Sequence, residues 1–165
     1  MTRKTVAILG ASFILLVSGC AAMLAAASRR ASIARSLTNL SLLASPEEVL
    51  GGARLVLVEK GFAPRDVGAG VIETDWKHSS SSDKDSSTSA TWRYVVTAMS
   101  MGEGTKLTAV MNTTKTRSGS SGYSSTPENQ RDFDLELEIV RRIDPGAAAR
   151  IDVEAAHAAE AARQS

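Results

Sequence analysis

The sequence predicts an α+β protein: an antiparallel four-stranded sheet packed against helices, behind an N-terminal signal and tether. Three observations carry this. Ser45-Pro46-Glu47-Glu48 is a strong helix start, Gly70 to Trp76 alternates as a half-buried strand should, and Thr91 to Met101 and Thr105 to Arg117 are rich in strand-forming residues on either side of a glycine turn.

In the first helix Ser45 is the cap, Pro46 stands at the first position and Glu48 three residues after the cap. Val49, Ala53, Val56 and Leu57 follow at helical spacing, and Lys60-Gly61-Phe62 is a glycine stop with an apolar residue after it. Gly51 and Gly52 each weaken this helix by ~1 kcal/mol. Residues 62 to 67 then read as a short strand, at an edge because Pro64 has no N–H to donate, closed by the Gly68-Ala69-Gly70 turn. In the next strand Ile72, Thr74 and Trp76 share one face, and Glu73 and Asp75 the other. The pair at 91–101 and 105–117 turns through Gly102-Glu103-Gly104 and directs Leu107, Ala109 and Met111 toward the core.

Two Ser-rich stretches, 79–90 and 118–125, read as flexible loops. Thr126-Pro127 and Asp144-Pro145 repeat the cap-then-proline signal and predict helices at about 127–142 and 145–163. A conflict sits inside the first of these. Phe133, Leu135, Leu137 and Ile139 alternate with Asp134, Glu136 and Glu138, the period of a strand, but the acidic and amide residues are poor strand formers and the cap favours a helix.

At 165 residues the chain has room for one domain plus a leader. Lys and Arg total 19 against 18 Asp and Glu, and without residues 1–19 the loss of Arg3 and Lys4 leaves 17 bases against 18 acids. No strong field is present to attract nucleic acid or an acidic substrate. With a single cysteine, Cys20, the chain can form no internal disulfide and no cysteine-rich metal site.

Arg3 and Lys4 precede an apolar run from Val6 to Val17, the layout of a secretory signal peptide over 1–19. The run ends in Val17-Ser18-Gly19-Cys20, which resembles the lipobox of bacterial lipoproteins. The resemblance implies diacylation of the Cys20 thiol, cleavage after Gly19, and commonly a further acyl chain on the new amino terminus. Two or three chains anchor a protein firmly, at ~0.8 kcal/mol per buried CH₂, where one binds only marginally. In the lipoproteins that this run resembles, an Asp after the Cys often retains the protein at the inner membrane, so with Ala21 there the resemblance implies the outer membrane, periplasmic face. The alternative is an uncleaved inner-membrane helix from Val6 to Ala27, long enough to span a bilayer, but disfavoured by Gly10, Gly19 and the positive Arg29, Arg30 and Arg35 beyond it. Residues 20–44 read as a lipidated tether, partly helical, with Ile33, Leu37 and Leu40 on one face; a fully flexible tether of ~25 residues spans ~25 to 30 Å. The single α+β domain is expected over 45–165.

The capped helix closing in Lys60-Gly61-Phe62, followed by a strand carrying Gly70, Ile72, Thr74 and Trp76, is similar to the helix-grip domains of BamC/NlpB-type outer-membrane lipoproteins. That resemblance implies a sheet backed by helices and an accessory role in outer-membrane protein assembly. This chain has room for one such domain.

Catalytic and metal chemistry find little purchase. His78 lies near Asp75, Asp83, Asp85 and several serines, but flexible loops do not hold catalytic groups to the ~0.5 Å required. His157 has no partner at metal-binding spacing. No phosphate-cradling glycine motif occurs, and the acids from Asp132 to Glu138 read as an outward helix face. The sequence therefore predicts no catalytic residue, metal or cofactor; its one site residue is Cys20. Two functional readings stand. One is a binding or assembly module taking an envelope partner at a sheet edge or beside a helix, and the other a protein holding a small apolar ligand between helix and sheet.

Overall fold

A computed structural model describes residues 21–84, 86–119 and 122–164 with their side chains. Cys20 and the expected signal peptide lie outside these residues. The chain divides into two units, residues 40–146 and residues 1–39 with 147–165.

The unit of residues 40–146 is α+β. Helix α2 (Pro46–Glu59) is followed by β1 (Pro64–Gly68), β2 (Val71–Thr74), β3 (Lys77–Asp83), β4 (Ser86–Met101), β5 (Gly104–Gly119), β6 (Gly122–Arg131) and α3 (Phe133–Ile143). The sheet is antiparallel, of six strands rather than the four expected, in the order β1-β2-β4-β5-β6, with β3 also paired to β4. β2 and β3 lie along successive halves of the long β4.

The α2 signals act as the sequence predicts. The Ser45 Oγ accepts from the Glu48 N–H at 3.2 Å and the Glu48 carboxylate accepts from the Ser45 N–H at 2.8 Å. At the other end Gly61, at φ +75°, lets its own N–H reach the Val58 carbonyl and the Phe62 N–H reach that of Leu57, closing the last turn. Gly52 is buried where an added Cβ would meet the Ile143 side chain at 2.8 Å, so a residue that weakens α2 as a helix lets α3 approach it closely.

Both Ser-rich stretches expected as loops are strands. Residues 79–83 and 86–90 form the outer part of the β3–β4 ladder, and 118–119 with 122–125 that of β5–β6. Serine has little intrinsic strand preference. Here the sixteen-residue β4 and β5 present unbroken ladders whose backbone groups are satisfied by further pairing. The helix expected at 127–142 is likewise divided. Thr126-Pro127 belongs to β6, and the helix starts six residues later, where the Asp132 carboxylate accepts from the Leu135 N–H at 2.9 Å. Pro127 fits a strand because even-numbered β6 residues face β5, as Asp132 does in donating to the Ala109 carbonyl, while Pro127 turns its missing donor outward. In α3 the strand-like alternation arises because one acid is core. Leu135, Glu136, Leu137, Ile139 and Val140 are all buried, so the acids from Asp132 to Glu138 do not form one outward face.

α2 and α3 pack on the sheet face that carries Ile72, Val96, Ala98, Leu107 and Ala109, all buried, as are Val49, Ala53, Val56 and Leu57 of α2. Past the end of β6, the exposed edge of β5 is capped in turn by Glu136, whose carboxylate accepts from the Ala109 N–H at 2.9 Å, and by Leu42, which exchanges both backbone hydrogen bonds with Thr105.

In the other unit, α1 (Thr5–Asn39) makes residues 21–39 helical, so the length of a flexible tether does not apply to them. Of the stripe read from the sequence, Ile33 and Leu37 are buried on α1, with Ala25 and Ser32. α4 (Pro145–Arg163) occupies the predicted span and buries Ala147, Ala148, Ile151, Ala155 and Ala159, small residues at helical spacing. Ser36 Oγ donates to Glu154 at 2.8 Å, and Arg29 stands 3.9 Å from Asp152, joining α1 to α4.

Candidate functional site

Beyond the part of the sheet covered by α2 and α3, the same face continues along the polar outer strands. Across the β4–β5 ladder Tyr94 pairs with Met111 and Trp92 with Thr113; across β5–β6 Met111 pairs with Gln130, Thr113 with Glu128 and Lys115 with Thr126. Period-2 alternation therefore places Trp92, Met111, Thr113, Lys115, Glu128 and Gln130 on one face, where they line an open groove of about 250 Å³. Trp92 and Met111, both half-buried, supply its apolar surface. Lys115 and Glu128 form an ion pair at 2.8 Å on its exposed flank. The Thr113 hydroxyl is buried and has no hydrogen-bond partner. A buried hydroxyl in that state is an unused handle for an incoming polar group.

Toward the core, Tyr94 borders this groove through its pairing with Met111. Its ring meets Phe62 edge-on at 5.1 Å, and its hydroxyl donates to the Asp132 carboxylate at 2.9 Å. Burial and the facing Asp132 carboxylate push the phenol well above its ordinary value. Lys77, opposite Trp92 on β3, places its ammonium 4.1 Å from the Phe62 ring centroid.

One expected core residue has changed face. Ile72 and Thr74 are buried as predicted, but Trp76 is 52% exposed. β2 pairs Glu73 with Val95 whereas β3 pairs Lys77 with Trp92, so one extra residue is accommodated at the junction. There the Thr74 hydroxyl takes the place of a backbone acceptor for the Tyr94 N–H, at 2.9 Å. Trp76 instead carries the Arg93 guanidinium 4.8 Å from its ring centroid, and Arg93 pairs with Glu73 at 2.7 Å.

Of the residues considered for chemistry in the sequence, Asp85 lies outside the described residues and Asp75 is exposed. His78 and His157 are exposed and lie in different units, and Asp83 is exposed at the end of β3. Among the described residues no group of His, Cys, Asp or Glu is arranged to hold a metal ion, and no helix is long and apolar enough to cross a membrane. The groove is not legible in the sequence because two of its six residues, Glu128 and Gln130, lie on β6, a span whose local signals favour loop and helix. The available signal was Ser118 to Gly122 as a glycine-bearing hairpin turn between two polar strands. No family model, curated protein or solved structure matches the chain.

Proposed function

We propose that the protein is a lipid-anchored envelope protein, held through Cys20 at the periplasmic face of the outer membrane, whose α+β unit is a non-catalytic binding module for a segment of an envelope protein partner. The observation that carries the binding reading is the groove itself. Trp92 and Met111 are presented between polar strands, beside a buried hydroxyl without a partner and a charged rim. Large apolar side chains flanked by polar ones, with a few fixed polar groups, suit an inserted side chain from an extended or helical segment. A volume of about 250 Å³, open to solvent, is below the ~300 to 1,000 Å³ typical of enclosed small-molecule sites, which favours a protein segment over a small apolar ligand. The lipobox-like Val17-Ser18-Gly19-Cys20 supports the anchor, and the helix-grip resemblance supports an accessory role in outer-membrane assembly.

A photo-crosslinking residue at Gln130 is expected to capture a discrete envelope protein, and Trp92→Ala is expected to reduce capture by about tenfold or more, as loss of a central aromatic contact does. Capture undiminished by Trp92→Ala would sink the groove reading. A small apolar molecule co-purifying with wild type but not with Trp92→Ala would replace it with the ligand reading.

A further inference from the structure

Among the described residues the sheet has three free edges, and two carry a device against pairing. β1 is five residues long, has a bulge between Asp66 and Gly68, and turns Pro64 outward, because the hydrogen bonds joining Ala63 and Asp75 direct odd-numbered residues inward. β6 turns Pro127 outward. A proline on the outer side removes a donor from the edge and blocks a further strand. β3 has no such device. It runs seven residues, Lys77–Asp83, with no proline, no bulge in its pairing to β4, and every residue from His78 to Asp83 exposed.

Its polarity follows from the ladder. Ala98 and Tyr94 of β4 donate toward β2, so even-numbered β4 residues face the β2 and β3 side; their β3 partners are the odd-numbered ones, Lys77, Ser79, Ser81 and Asp83. His78, Ser80 and Ser82 therefore direct their N–H and C=O groups outward, unused by the sheet.

We propose that this edge pairs antiparallel with β3 of a second copy of the chain, about a two-fold axis at Ser80. The register is self-complementary. With Ser80 opposite Ser80, His78 lies opposite Ser82, and about six backbone hydrogen bonds form from the three outward residues of each strand. The same register sets Lys77 opposite Asp83 of the second copy, at both ends of the strand and in the non-hydrogen-bonded positions where side chains approach most closely. The strand ends thus carry opposite charges at the spacing that antiparallel self-pairing requires, and small serine side chains between them pose no steric barrier. A parallel pairing or a shifted register loses both ion pairs. None of residues 77–83 lines the groove, although Lys77 pairs with Trp92 at its border.

A single strand edge is a small interface, so association is expected to be reversible and concentration-dependent. Sedimentation of the detergent-solubilised full chain is expected to show a monomer–dimer equilibrium. Ser80→Pro removes an outward donor while leaving the β3–β4 hydrogen bonds in place, and is expected to shift the equilibrium to monomer with an unchanged far-UV circular dichroism spectrum. Asp83→Lys is expected to weaken the dimer, and adding Lys77→Glu to the same chain to restore it. Directly opposed residues stand ~5.5 Å apart between Cα atoms, within disulfide reach, whereas Ser79 and its own copy are offset beyond ~7 Å. Ser80→Cys is therefore expected to crosslink at least about tenfold more than Ser79→Cys, measured above the background from Cys20 in wild type. A chain monomeric at every concentration, a dimer that survives Ser80→Pro, equal crosslinking at 79 and 80, or crosslinking of position 80 to a different envelope protein would each overturn the proposal.

Discussion

At the scale of single residues, Glu136 bears the largest structural consequence. It is 1% exposed, accepts from the Ala109 N–H, and is gripped by Arg131 through contacts of 2.7 and 2.8 Å. The Glu136 carboxylate raises the Arg131 guanidinium above its ordinary value by holding its protons in hydrogen bonds. Arg131 also lies over the Phe133 ring at 4.7 Å. Removing one member of such a pair leaves a poorly solvated charge and an orphaned backbone donor, so Glu136→Ala is expected to cost about 3 kcal/mol in urea unfolding, and Glu136→Gln less, because one acceptor remains. Tyr94 makes a pH prediction. Its folded-state value is raised above the ordinary 10.0 by burial and by Asp132, so the native state retains a proton that the unfolded chain releases. The resulting stability is fully present below the unfolded value and declines as pH rises through and above it. Denaturation at a series of alkaline pH values should show this decline beginning near pH 10, and Tyr94→Phe should remove that part of the slope.

At the scale of elements, the termini of α2 were legible in the sequence because capping is local: Ser45, Pro46, Glu48 and Gly61 act on backbone groups within a few residues. Ser45→Ala is expected to cost about 1 kcal/mol in thermal or urea unfolding, most of it restored by Ser45→Asp. The turn before β2 offers a sharper test. Gly70 has φ +74°, and a Cβ there would stand 2.5 Å from the Ala98 carbonyl oxygen, so Gly70→Ala combines a strained backbone with a clash against backbone and is expected to cost about 2 kcal/mol or more. The start of α3 was misplaced because Thr126-Pro127 and Asp132 are both plausible caps locally. Which one caps a helix depends on whether residues 122–131 find a strand to pair with, and β5 is distant in neither sequence nor space. The same reason underlies the two missed Ser-rich strand segments. Their ordering comes from neighbours across the ladder, not from their own side chains.

At the scale of the whole molecule, the proposed lipid anchor on Cys20 and the proposed binding role of residues 40–146 make separate predictions. Intact-mass measurement of the membrane-extracted protein is expected to show loss of residues 1–19 and addition of acyl mass on Cys20, and Cys20→Ala to abolish both, leaving residues 1–19 in place. Wild type retaining residues 1–19 with no acyl mass would rule the lipid anchor out. The α+β unit is expected to keep its fold in Cys20→Ala, since the core formed by α2, α3 and the sheet lies within residues 40–146.

The sequence by itself determined what local chemistry can encode: the limits of α2, the span of α4, the alternation that buries Ile72, Leu107 and Ala109, and the lipobox-like run before Cys20. The tertiary structure decided the number of strands, the facing of Trp76, the burial of Glu136, and the gathering of Trp92, Met111, Thr113 and Gln130 in one groove. Each of these depends on register between strands. A one-residue shift, such as the one between β2 and β3, exchanges the two faces of everything beyond it, and that shift is fixed by hydrogen bonds to a partner strand rather than by the strand's own residues.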